Sequence, residues 1–175
     1  MKSIVIYFSR AGSNWVNDKV ANLETGNGEF LAKYVQKITK SDIFQIKTKR
    51  KYTNNYHTAT KEAKVELEEN ARPELIEYPE NLSDYEKIYL IYPIWWDTCP
   101  MAIVTFLENY DLTNKTIIPL CSHEGSGVAN SVKDIRKHTN ASVREAYETR
   151  GYKCQNLNQD TKMQTEINNF LAVNR

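Results

Sequence analysis

The stretch KIYLIYPIWWDTCP, residues 87–100, sets an unbroken apolar run directly before a proline and two adjacent tryptophans. KIYLIYP (87–93) is rich in β-branched and aromatic residues, as expected of a strand buried on both faces in a parallel sheet. Pro93 has no backbone donor and should end the ladder. Neighbouring strand residues face opposite sides, so at most one of Trp95 and Trp96 could enter the core if the strand continued. The pair is therefore expected in a loop at the strand's carboxyl end. PMAIVTFLENY (100–110) follows as a helix with Pro100 in its first turn.

Working outward, strands and helices alternate. SIVIYFS (3–9) and KTIIPLCS (115–122) read as buried strands, and DIFQIKT (42–48) as a more exposed one. SVREAYET (142–149) is a weak fifth strand. GEFLAKYVQKI (28–38) carries apolar residues at helical spacing, and TATKEAKVELEENA (58–71) is rich in strong helix formers. VANSVKDIRKHT (128–139) and TKMQTEINNFLAV (161–173) are two more helices. Five strands separated by helices predict a single α/β domain over residues 1–175, a three-layer doubly wound fold.

The chain has 175 residues and a net charge of +1, which offers no bulk attraction for nucleic acid. No apolar run approaches the length of a membrane span, and the N-terminus lacks the features of a signal peptide. Cys99, Cys121 and Cys154 are odd in number, far apart and without a C-x-x-C pair. That pattern argues against a disulfide framework and fits a reducing cytoplasm.

Doubly wound sheets bind ligands beyond the carboxyl ends of their strands. Strand one is followed by SRAGSN and, after an insertion, by TGNGE; strand three by PIWWDTCP; strand four by SHEGSG. Four of the six glycines, Gly26, Gly28, Gly125 and Gly127, lie in these loops. TGNGE at a helix start exposes backbone N–H groups and the positive end of the helix dipole, which suits a phosphate. A bare helix cap at Asn27 is the alternative. Ser9 and Arg10 could add a hydroxyl and a guanidinium. Leu31 stands where a dinucleotide fingerprint needs its third glycine, and no Walker lysine is present. A mononucleotide phosphate is the better reading. A phospho-accepting receiver domain is excluded, because Ser9-Arg10 and Pro93 stand where it needs acids.

YFSRAG, YPIWWDTCPMAIVTFLENYDL and CSHEGSG resemble the flavodoxin-like family, in particular its small bacterial FMN-binding oxidoreductases, and ENARPEL (69–75) strengthens the likeness. The resemblance implies a five-stranded parallel sheet in the order 2-1-3-4-5, with FMN as cofactor. It assigns Ser9, Arg10, Asn27 and Gly28 to the phosphate loop. Pro93, Ile94, Trp95 and Trp96 would cover one face of the flavin ring. Ser122, His123, Gly125, Ser126 and Gly127 would hold the other side. Two departures stand out: AGSNWVNDKVANLET splits the phosphate loop, and Gly28 replaces a hydroxyl residue. Asn14 or Trp15 of the insertion could supply the missing contact.

The resemblance leaves two functions. In one, NADH or NADPH reduces FMN, which reduces a quinone-like or other small-molecule acceptor. In the other, the chain is an electron carrier docking redox partner proteins. The near-neutral charge and the basic KTKRK (47–51) favour the first, since carriers that dock basic partners gain from an acidic surface. His123 is the one candidate proton-handling residue, with loop fixing as the alternative. Trp96 is expected to be the more exposed of the tryptophans, both near FMN. Cys99, near a helix N-terminus, could form a redox couple, although a small apolar role is simpler. Tyr52 and Tyr56 could flank the substrate side. Related flavin reductases often dimerise, so a homodimer is a further expectation of the likeness.

Overall fold

The structure, a computed structural model, describes residues 2–174. Its first strand, β1 (Ser3–Tyr7), pairs in parallel with both β4 (Asp42–Gln45) and β5 (Lys87–Pro93). β5 pairs in parallel with β6 (Thr116–His123), out to the register Pro93–Ser122. Beyond β6 lie β7 (Ser142–Val143) and β8 (Tyr147–Arg150), both parallel to it. The order is β4-β1-β5-β6-β7, with β8 further along β6.

Alternation along the strands divides the core. Ile4, Ile6, Phe8, Ile88, Leu90 and Tyr92 face one side, with α3 (Met101–Glu108) and Ile135 of α4 (Ser131–Lys137). Val5, Tyr7, Tyr89, Ile91, Ile118 and Leu120 face the other, against α1 (Asn27–Thr39) and α6 (Thr161–Val173). Both faces are apolar because both are covered. α2 (Tyr56–Glu68) lies on the α3 side, where Leu67 packs against the core. A short α5 (Gly151–Cys154) follows β8. Among the described residues no helix is long and apolar enough to cross a membrane.

One expectation needs correction. The sheet has six strands, not five in the order 2-1-3-4-5, because the fifth strand expected over 142–149 is divided. From Ile117 to Leu120 β6 advances three residues, while its partner advances four, from Val143 to Tyr147. The surplus residue makes a bulge that interrupts the pairing. The insertion is also ordered. β2 (Gly12–Val16) and β3 (Lys19–Leu23) form an antiparallel hairpin, a separate two-stranded sheet. Its turn residues Asn17 and Asp18 have φ of 48° and 66°, the left-handed values of a type I′ turn. Asn and Asp tolerate them better than other side chains do.

Candidate functional site

A cleft of about 300 Å³ opens at the carboxyl edge of the sheet, at the small end of the range for ligand sites. It is lined by Arg10 and Asn27, by Asn14 and Trp15 of the hairpin, and by Tyr56, Ala59, Thr60 and Ala63 of α2. Pro93–Trp96, Ser122–Glu124 and Gly151 complete it. One part of the lining is aromatic and small apolar, the other polar.

The hairpin explains how a divided loop can still build one wall. Gly12 pairs with Leu23, so the ends of the insertion return together. Ser9 then meets the start of α1, where its Oγ accepts a hydrogen bond from the Glu29 amide (3.1 Å). A Cβ added at Gly26 would lie 2.3 Å from Ser9 Oγ and 2.6 Å from the Arg10 carbonyl oxygen. The two halves close only because Gly26 has no side chain. Gly26, not Asn27, is the N-cap, and it has no side chain to cap with. The Asn27 and Gly28 amides keep their donor capacity, whereas the Glu29 amide is engaged by Ser9 Oγ and the Gly26 carbonyl.

Arg10 donates to the carbonyls of Ser13 (2.5 Å) and Thr53 (2.6 Å), and more weakly to Asn14 Oδ1 (3.5 Å). It clamps the hairpin to the segment before α2. Burial lowers its pKa, and Glu62 offsets this in part. Trp15 stacks on Tyr56 with centroids 5.9 Å apart, and the Asn17 amide donates to Glu124 Oε2 (3.3 Å). The hairpin therefore ties the first loop to both other walls.

The tryptophans differ sharply. Trp95 is half-buried and meets Phe8 and Tyr52 edge-on, with centroids 5.3 and 5.1 Å away. Trp96 is 48 % exposed. Its indole donates to the Thr60 carbonyl (2.8 Å), and Lys64 Nζ lies 5.3 Å from its ring. Trp95 and Thr98 exchange two backbone hydrogen bonds (2.8 and 3.1 Å) around Trp96 and Asp97. Those two residues have φ of 49° and 62°. Such a conformation is strained for tryptophan, and strain of this kind gathers at functional sites.

His123 is held at both ring nitrogens. Nδ1 accepts from the Gly125 amide (2.9 Å), and Nε2 meets Glu148 Oε2 at 2.7 Å. Burial lowers its pKa, with Glu148 pulling the other way, so the neutral imidazole is favoured. The arrangement suits loop fixing. Cys99 is buried, and burial pushes its thiol up to about 12. The small apolar role is thus favoured over the redox couple, because desolvation outweighs the helix end. Tyr52 lies behind Trp95 and donates to Glu66 (2.7 Å), whereas Tyr56 opens α2 and reaches the cleft.

The cleft thus gathers Arg10, Asn14, Asn27, Pro93, Ile94, Trp95, Trp96, Ser122 and His123 of the predicted set. Ser9 and Gly28 support from behind; a Cβ at Gly28 would come 2.7 Å from the Phe8 carbonyl oxygen. Gly125, Ser126 and Gly127 lie outside the lining. Ala59, Thr60, Ala63, Glu124 and Gly151 line it without having been singled out. Small residues on a helix carry no chemical signature, whereas the acid in SHEGSG was visible in the sequence.

A family model described as flavodoxin matches residues 2–148. The chain belongs to the flavodoxin family. Solved structures place the fold of this flavodoxin-family chain among flavoproteins. A Bacteroides eggerthii DSM 20697 protein assigned as a flavoprotein is 25% identical with a TM-score of 0.70, covering 89% of this chain and 94% of its own. Its counterpart from Bacteroides uniformis ATCC 8492 is 26% identical with a TM-score of 0.67, covering 90% and 98%. A Lactobacillus acidophilus NCFM flavoprotein, solved in complex with FMN, shares the fold at 15% identity and a TM-score of 0.63, covering 84% and 92%. No curated protein matches the chain in sequence.

Proposed function

We propose that this chain, as one flavodoxin-like domain, binds FMN in the carboxyl-edge cleft and acts as an oxidoreductase. NADH, NADPH or a similar donor would supply the electrons, and a quinone-like or other small molecule would receive them. The observation that carries this reading is the division of one cleft into an aromatic part and a polar part next to the start of α1. Amphipathic ligands with a planar ring and an anionic tail match that division.

The residues present fit the group. The glycine-dependent closure of Ser9 and Arg10 onto Gly26 leaves the Asn27 and Gly28 amides available to a phosphate. Arg10 makes no ion pair among the described residues, so its charge acts within the cleft. Trp95, braced by Phe8 and Tyr52, is a rigid wall for a planar ring. Trp96, tied to α2, is the wall at the rim. His123, fixed in its neutral form, holds the loop after β6 in place and orients Ser122 and the neighbouring amides. FMN, when bound, supplies the acceptance and donation of hydride. The chain's own residues bind, orient and exclude water.

The test is the visible spectrum of the purified protein after FMN addition, followed by anaerobic NADH or NADPH. Flavin bands that bleach rapidly with a nicotinamide are expected. Bands that bleach only with dithionite would point to an electron carrier. No bound flavin at all would overturn the reading.

A further inference from the structure

Glu124 is the only acid among the residues lining the cleft. It stands just after β6, at the polar end. Asn17 of the hairpin donates its amide to Oε2 (3.3 Å). Oε1 is buried and meets no donor at good hydrogen-bond geometry among the described residues, although the Tyr152 amide is near enough to favour the charged carboxylate. A Cβ added at Gly151 would lie 2.6 Å from Oε1 and 2.4 Å from Asn27 Nδ2. The carboxylate and the first residue of α1 therefore converge on the same small space. Arg150 could neutralise this acid, but it donates instead to the Glu124 backbone carbonyl (2.7 Å). The cleft thus holds an acid that forms no direct ion pair among the described residues, with Arg150 compensating it only in part, beside the helix start to which an anionic ligand group would be drawn.

We propose that Glu124 sets how strongly this site prefers a phosphorylated over an unphosphorylated flavin. The inference rests on the flavin reading above. Ionised, Glu124 repels a phosphate at the start of α1 and accepts from a ligand hydroxyl at Oε1. Protonated, it donates to a phosphate oxygen. The charged and titratable groups facing it come from every surrounding element. They are Asp18 of the hairpin turn, Tyr56 of α2, the adjacent His123, Arg150 of β8 and Cys154 of α5, with Arg10 after β1 lining the same cleft. Burial raises the Glu124 pKa, and Asp18 raises it further, while the Asn17 and Tyr152 amides and Arg150 lower it. The acid is therefore neutral at low pH and charged at high pH. A phosphomonoester likewise gains negative charge as pH rises, its second near pH 6. Preference for FMN over riboflavin should accordingly fall as pH rises.

Fluorescence titrations of FMN and riboflavin, at about pH 5.5 and about pH 8, test this with the native chain and Glu124→Gln. The ratio of riboflavin Kd to FMN Kd should be about tenfold higher in E124Q than in the native chain at about pH 8, the effect of removing one close like charge. At about pH 5.5 the difference between the two ratios should be smaller than at about pH 8, because burial raises the Glu124 pKa. Glu124→Asp, which draws the carboxylate back by one carbon, should shift the ratio the same way by a smaller factor. It also serves as the test if E124Q does not fold. Equal ratios in native and variant protein at both pH values, with both flavins bound, would overturn the role of Glu124 and leave the flavin reading intact. Binding of neither flavin to any form would overturn both.

Discussion

Two turns at the carboxyl edge use the same backbone device with different residues. At the hairpin tip, Asn17 and Asp18 take positive φ; after β5, Trp96 and Asp97 do. Asparagine and aspartate are common in this region, and tryptophan is not. The hairpin tip is therefore relaxed, whereas the second turn is held against the preference of Trp96. Its restraints are the Trp96–Thr60 hydrogen bond, the Asn130 amide on the Asp97 carbonyl (2.8 Å) and the buried Thr98, which bonds Asp134 (2.7 Å). Agreement between residue and backbone marks the element that shapes the cleft. Disagreement marks the element that presents an indole to it.

The sharpest way to break this comparison is Trp95→Ala. Trp95 is braced by two aromatic partners, so its loss should cost about 3 kcal/mol in urea unfolding, at the low end for tryptophan truncation because it is only half-buried. Trp96→Ala should cost less than about 1 kcal/mol, because the indole is exposed and held chiefly by one hydrogen bond. Flavin affinity per folded molecule should nevertheless fall in both variants. If Trp96→Ala destabilises as much as Trp95→Ala, the two indoles are one packing unit.

A pH titration of stability probes the loop between the two turns. The folded-state pKa of His123 is depressed, so the unfolded chain binds the proton more readily. Its contribution is fully present above 6.5, its ordinary value, and is lost as pH falls below it. Thermal unfolding in that window should fall more steeply for the native chain than for His123→Gln. Parallel curves would remove His123 from the account.

The smallest effect is expected at the hairpin tip. Asn17→Val puts a β-branched residue where φ is 48°, yet the hairpin is a separate sheet. Global stability should change by less than about 0.5 kcal/mol while amide exchange over residues 12–23 accelerates. A large global loss would show that the hairpin supports the fold as well as the cleft.

What was legible in the sequence follows the same division. KIYLIYP and KTIIPLCS are long apolar runs that only a covered parallel sheet satisfies, and both appear within a residue of the expected bounds. SVREAYET failed as one strand because a bulge depends on its partner's register, which no local pattern records. The insertion was read as an interruption although GSNWV and KVANL flank an Asn-Asp turn. Motif position named loops that line the cleft but not which way their side chains turn. Ser122 and His123 therefore reach the cleft while Gly125–Gly127 do not.

The bulge beside β6 also bears on how the molecule meets copies of itself. A sheet margin with a long run of free amides and carbonyls is a template onto which another chain can zip. Here that margin pairs for two residues, breaks, and resumes for four along a shifted register. An incoming strand would need the same kink to follow it. At the opposite margin, the chain beyond β4 is already engaged, with Lys49 and Ile76 amides bonded to the Glu74 and Lys47 carbonyls (2.8 and 2.9 Å). Irregular pairing on one side and an antiparallel patch on the other leave self-association by strand addition little straight edge to grip.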